Sequence, residues 1–146
     1  MKLIVLFLLT ALPGVSCKVP SLHSPEVVIT VCTAGEANRV CPADSASFED
    51  AVMALVSHAD ETVRPAVTDD AVRAGNYLEV LFPDLHCTAS PAGRLTFGRL
   101  LAVFGEGSED VMIFLGKGEG GICSSPAYMV YGGNRYIDAI LDTLNL

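Results

Sequence analysis

Tryptophan is absent from this 146-residue chain, and basic residues are scarce: nine Lys and Arg stand against seventeen Asp and Glu, a formal charge of −8. With a pI near 4.6, the surface lacks the basic patches that hold nucleic acid or an anionic bilayer, which argues against both as partners. No CxxC and no N-x-S/T sequon occurs. The three histidines, His23, His58 and His86, are not spaced as metal ligands. The glycine-rich "GKGEGG" lacks the GK[ST] end of a phosphate loop, and "GEGSED" lacks the ligand pattern of a calcium loop. No nucleophile stands beside a recognisable base. The sequence therefore predicts no catalytic residue, no metal and no cofactor, and points to a binding module rather than an enzyme.

What is present begins with an apolar leader. Residues 1–17, "MKLIVLFLLTALPGVSC", have Lys2, an apolar run from Leu3 to Leu12, and then Pro13, Gly14 and small residues. This reads either as a secretory signal cut near Cys17 or Lys18, or as an apolar segment that packs or anchors. No later stretch is long enough to span a bilayer. Residues 18–146 read as one domain. Five cysteines, Cys17, Cys32, Cys41, Cys87 and Cys123, leave an even set if Cys17 is lost, but their wide spacing equally suits free buried thiols.

Helix-start signals recur along that domain. Ser24, Pro25 and Glu26 read as cap, first-turn proline and first-turn acid of a helix to about Asn38. Ser47 precedes a stripe of Phe48, Val52, Leu55, Ala59 and Val63. Thr68, Asp69 and Asp70 open a helix carrying Val72, Tyr77, Leu78, Leu81 and Phe82. Thr96 caps a central apolar helix to Phe104, Ser108 one to Leu115, and Ser125 one to Tyr131. Gly132 and Gly133 turn the chain into a last helix, Arg135 to Leu144. Strands remain the alternative for "PEVVITVC" and "AYMVYGG", which are rich in β-branched and aromatic residues. The caps favour an all-α bundle of about seven short helices around a central hydrophobic one.

One stretch is odd. "LTFGRLLAVF", Leu95 to Phe104, sets Gly98 beside Arg99 inside an apolar run, where the glycine costs about 1 kcal/mol in a helix and a buried guanidinium needs a partner. Thr96 to Phe104 resembles the first homology motif of the Bcl-2 family of apoptosis regulators: Gly98, Arg99, Ala102 and the aromatics match, with Phe97 in place of Trp. Leu55 to Glu61, with Ala59 and Asp60, resembles the third motif. Tyr131-Gly132-Gly133-Asn134 through Leu141 resembles the second, and Leu81-Phe82-Pro83-Asp84 a family signature ahead of the first. The similarity covers residues 48–146. Asn134 replaces a usual Trp, the segment from Arg99 to Gly132 is short, and no fourth motif is found in residues 18–40. Such compact, divergent members are typical of viral homologues of the iridovirus or poxvirus kind.

The resemblance implies a Bcl-2-like fold and an inhibitor of apoptosis. It would sequester pro-apoptotic BH-3 motif helices of Bim type, and Bax/Bak-type effectors, in a hydrophobic groove. Arg99 would pair with the partner's Asp, Gly98 would admit its backbone, and Phe97, Ala102, Tyr77 and Leu81 would line floor and wall. Thr62 and Ala66 fall where the family often has aromatics, which implies a shallower groove. Leu55, Asp60, Gly132 and Gly133 would be motif residues. The family also allows a homodimer, and membrane association through the N-terminus. The expected location is the host cytoplasm or mitochondrial membrane. Two alternatives stand beside this. Arg99 would instead form a salt bridge within the chain, to Asp84 or Glu106. With a cleaved leader, the protein would be a small secreted, disulfide-linked helical protein, cytokine-like or an immune modulator.

Overall fold

The structure, a computed structural model, describes residues 26–65, 67–105, 107–118 and 121–146. The stretch from Tyr77 to Phe82 decides the architecture. Leu78, Val80 and Phe82 are buried at every second position, while Glu79 and Leu81 between them are partly exposed. That period is a strand's, not a helix's. The chain here forms β4 (Asn76–Ser90), which pairs antiparallel with β5 (Gly93–Phe104). The hairpin organises a sheet completed by β1 (Val28–Thr33), β2 (Glu36–Val40), β3 (Thr62–Val63), β6 (Val111–Gly116) and β7 (Ala127–Val130). Their order is β2-β1-β4-β5-β6-β7-β3, every neighbour antiparallel.

An all-α, Bcl-2-like bundle is therefore not the fold. Seven strands form one sheet, and three α-helices are present among the described residues: α1 (Ser45–Ser57), α2 (Asp69–Arg73) and α3 (Asn134–Thr143). The expected central helix is β5, and the expected helices at Ser108 and Ser125 are β6 and β7. "PEVVITVC" and "AYMVYGG" take their strand alternative as β1 and β7; Ser24 and Pro25 lie outside the described residues. A helical groove walled by neighbouring helices is accordingly absent from the described residues.

Helix signals hold where they are local. α1 starts at Asp44, which caps it by accepting from Ala46 N at 3.1 Å and from Ser47 Oγ at 2.7 Å; the cap is thus three residues before the expected Ser47. Thr68 caps α2 as expected, accepting from Ala71 N at 3.2 Å, but the helix stops at Arg73 because β4 takes over. α3 lies within a residue of expectation. Gly132 turns the chain with φ +67°, and Gly133 packs so closely that an added Cβ would lie 2.9 Å from Val111 and from the Val130 carbonyl.

The two faces of the sheet differ. One is covered by α1 and α3, and Phe48, Val52, Leu55 and Ile140 meet Leu78, Val80, Leu100, Ala102 and Ile113 in the main core. The other carries a smaller cluster, Cys32, Val72, Tyr77, Leu101, Phe114 and Ile122, covered by α2 and a 3₁₀ turn, Ile122–Ser124.

Candidate functional site

The Gly98-Arg99 pair marks a break in register. Leu81 pairs with Arg99 and His86 with Phe97, so the four residues Phe82 to Leu85 of β4 stand opposite Gly98 alone. Such a bulge tolerates Pro83, which has no N–H for a ladder, and bends the strand that carries it. Gly98 is at a bulge rather than a helix interior; a Cβ there would meet Leu85 Cδ2 at 3.1 Å.

The bulge opens a cleft of about 610 Å³ between β4, the chain before β1 and the start of α1. Its floor is aromatic: Phe48 and Phe82 lie with ring centroids 6.5 Å apart, and His86 lies 4.3 Å from Phe82 and 6.0 Å from Phe97. Its rim is acidic, with Glu26, Glu49 and Asp84. His86 Nε2 contacts the Glu49 carboxylate, and Nδ1 lies 3.1 Å from the Asp84 carbonyl oxygen. Both ring nitrogens therefore face oxygen atoms of the chain. The Glu26 and Asp84 carboxylates have no hydrogen-bond or ion-pair partner among the described residues, and both residues are exposed. Cys41, in the cleft wall, is disulfide-bonded, whereas Cys32, Cys87 and Cys123 are free.

Arg99 points to the opposite face. Its Nε donates to Glu79 Oε2 at 2.9 Å and its Nη1 to the Gly118 carbonyl at 3.2 Å. Arg73 holds the same carboxylate bidentately, at 2.8 and 3.1 Å. Burial alone would raise the Glu79 carboxyl, but hydrogen bonds from Arg73 and Arg99 outweigh it and hold the group below its usual value. The in-chain salt bridge is thus formed with Glu79, not Asp84; Glu106 lies outside the described residues. Asp69 completes the clamp. It accepts from Cys123 N at 3.1 Å and Ile122 N at 3.3 Å, bonds that hold its carboxyl low. Burial and Asp69 push the Cys123 thiol up to about 11.

The remaining expected groove residues are dispersed. Phe97 lies under the cleft and Ala102 is in the main core. Tyr77 is in the small cluster, beneath the Arg73 guanidinium at 5.2 Å. Leu81 is half-buried on β4 and Thr62 is exposed on β3. Leu55 is a core residue of α1, and exposed Asp60 donates its N–H to Met129 O at 2.8 Å. Gly132 N donates to Asp110 Oδ1 at 2.9 Å. Ala66 lies outside the described residues. Several cleft residues carried a sequence reading, Glu26 as a first-turn acid, Phe48 in a helical stripe and Phe82, Pro83 and Asp84 in one short motif, but none was expected to line a common site. The usable signal was Pro83 in an otherwise alternating strand, which marks a bulge.

Among the described residues, no three His, Cys, Asp or Glu side chains gather to hold a metal, and no helix is long and apolar enough to cross a membrane. No family model, no curated protein and no solved structure matches the chain.

Proposed function

We propose that the chain is a binding domain whose cleft at the β4 bulge receives a cationic group on an apolar stem, such as a lysine or arginine side chain of a partner protein. The observation that carries this is the pairing of an aromatic floor, Phe48 and Phe82, with two carboxylates, Glu26 and Asp84, that nothing in the described chain neutralises. The ligand gains from both: its charge from Coulomb attraction at the rim, its apolar stem from the hydrophobic floor. The net charge of −8 draws basic partners in from a distance. The volume suits one or two side chains. His86 is engaged at both ring nitrogens by Glu49 and the Asp84 carbonyl, which supports binding over acid–base chemistry. The disulfide at Cys41 accords with an oxidising compartment.

The test is calorimetric titration with a six-residue peptide bearing one central Lys between Leu residues, against the same peptide with acetyl-lysine. The lysine peptide binds, more weakly at high salt, and the acetylated one binds at least about tenfold less tightly, a difference of ~1.4 kcal/mol. The double variant Glu26→Gln, Asp84→Asn abolishes that preference without altering the melting temperature. Equal affinity for the two peptides, or a preference that survives in the double variant, refutes the reading.

A further inference from the structure

β5 is enclosed along only half of its length. From Arg99 to Val103 it lies between β4 and β6, but from Gly93 to Phe97 it pairs with β4 alone among the described residues. β6 ends at Gly116, opposite Arg99, and the chain leaves the sheet through Lys117 and Gly118, where Arg99 Nη1 holds the Gly118 carbonyl. The lane that a longer β6 would occupy is a groove of about 420 Å³, bounded by Arg94 to Thr96 on one side and by Gly116, Lys117 and Pro126 on the other.

Three properties of this lane point to one kind of occupant. In an antiparallel ladder every second residue turns its N–H and C=O away from its partner, so β5 presents unpaired backbone groups to the lane. An unpaired strand is a template for another strand. The sheet's outer edges are ill suited to that role, since β2 has five residues with Glu36 and Arg39 on it and β3 has only two. The lane is also walled on its far side, which gives an incoming strand side-chain contacts as well as backbone bonds. Finally, its charged lining residues are Arg94 and Lys117, both exposed, with no Asp or Glu, on a chain of net charge −8. This acid-free, basic groove faces a strand edge that has no partner strand among the described residues.

We propose that this lane binds an extended, acidic peptide segment of a partner protein by strand addition. Backbone hydrogen bonds to residues 93–97 of β5 supply the affinity, and Arg94 and Lys117 select carboxylates. At about 3.3 Å per residue, the free edge takes four or five residues. The site is built from elements other than those of the cation cleft and stands independently of it.

The experiment uses the full chain and fluorescein-labelled peptides read by anisotropy. The probe alternates Val and Glu over six residues; one control replaces Glu by Lys, and a second carries N-methyl groups on alternate amides. The acidic peptide binds saturably, and the lysine peptide and N-methylated peptide at least about tenfold more weakly. Arg94→Ala with Lys117→Ala weakens the acidic peptide by a similar factor. Amide exchange slows at alternate residues of the 93–97 segment, those whose N–H faces the lane, when the peptide is added. Equal binding of the acidic and lysine peptides, indifference to N-methylation, no binding of the acidic peptide, or occupation of the lane by a second copy of this chain in sedimentation would each overturn the proposal. The N-methylated peptide leaves the protein unaltered, so the result does not depend on how the variants fold.

Discussion

The two faces of the sheet solve the same problem by different means. β4 and β5 bury side chains in both directions, yet one face meets two helices of 13 and 10 residues, the other a five-residue helix and a 3₁₀ turn. The long helices bring enough apolar surface to close a continuous core. The short cover does not, and charge replaces area there: Asp69 holds the 3₁₀ turn, while Arg73 and Arg99 meet on Glu79. A guanidinium inside an apolar run is thus a fastening for a thin layer. This reading of Arg99 removes the vacant half-site on which a helix-binding groove depended.

Breaking the helix-covered face has the largest effect. Leu55→Ala removes a fully buried side chain and lowers unfolding free energy by about 2–5 kcal/mol, measured by denaturant titration. Gly133→Ala forces a methyl against Val111 and the Val130 carbonyl, and costs about 1–3 kcal/mol in the same assay.

The charged face is weaker and depends on pH. Arg99→Ala leaves Glu79 with Arg73 alone and costs about 1.5–3 kcal/mol, the range for hydrogen bonds to charged groups. Because the folded-state Glu79 carboxyl is held below its ordinary value, its contribution is full above the unfolded value near 4.3. It is lost as pH falls through the lower folded one. The wild type therefore loses stability on acidification below about pH 5, and Glu79→Gln flattens that part of the profile. An unchanged acid limb in Glu79→Gln would place the clamp's energy elsewhere.

The smallest effect lies outside both faces. Ala34 holds φ +54° ahead of Gly35 in the β1–β2 turn, a conformation that costs an L-residue about 1–2 kcal/mol. Ala34→Asn, better suited to such a turn, raises stability by about 0.5 kcal/mol, read as a small rise in melting temperature.

The legible parts of the sequence were those set by near neighbours. The stripe Phe48, Val52, Leu55 gave α1, the Gly132-Gly133 turn gave the start of α3, and Thr68 gave the cap of α2. The strands were hidden for identifiable reasons. β5 is buried on both faces, so it reads as one apolar run that periodicity cannot assign. The bulge also puts a three-residue step between Phe97 and Leu100, both in the main core, which imitates a helical stripe. Ser108 does act as a local acceptor, taking the Asp110 N–H at 3.2 Å, but the turn leads into β6. Pro126 gives its carbonyl to Leu115 N rather than opening a helix. For the site, the sequence signalled that Gly98 and Arg99 are unusual without revealing why. The explanation lies in Glu79, twenty residues from Arg99 and across a strand pair. Phe97 and Arg99, read as neighbours on one groove, face opposite sides of the sheet at the bulge. The cleft draws on residues from Glu26 to His86, which only the folded sheet brings together.

The most direct test of the account is amide mapping of the folded protein by NMR as the lysine peptide is added. Chemical-shift changes confined to the cleft, at Val27, Phe48, Glu49, Leu85 and His86, with Tyr77, Arg99, Leu101 and Gly118 unmoved, are the predicted result. Changes centred on Arg99 and Gly118, with the cleft amides still, would contradict it.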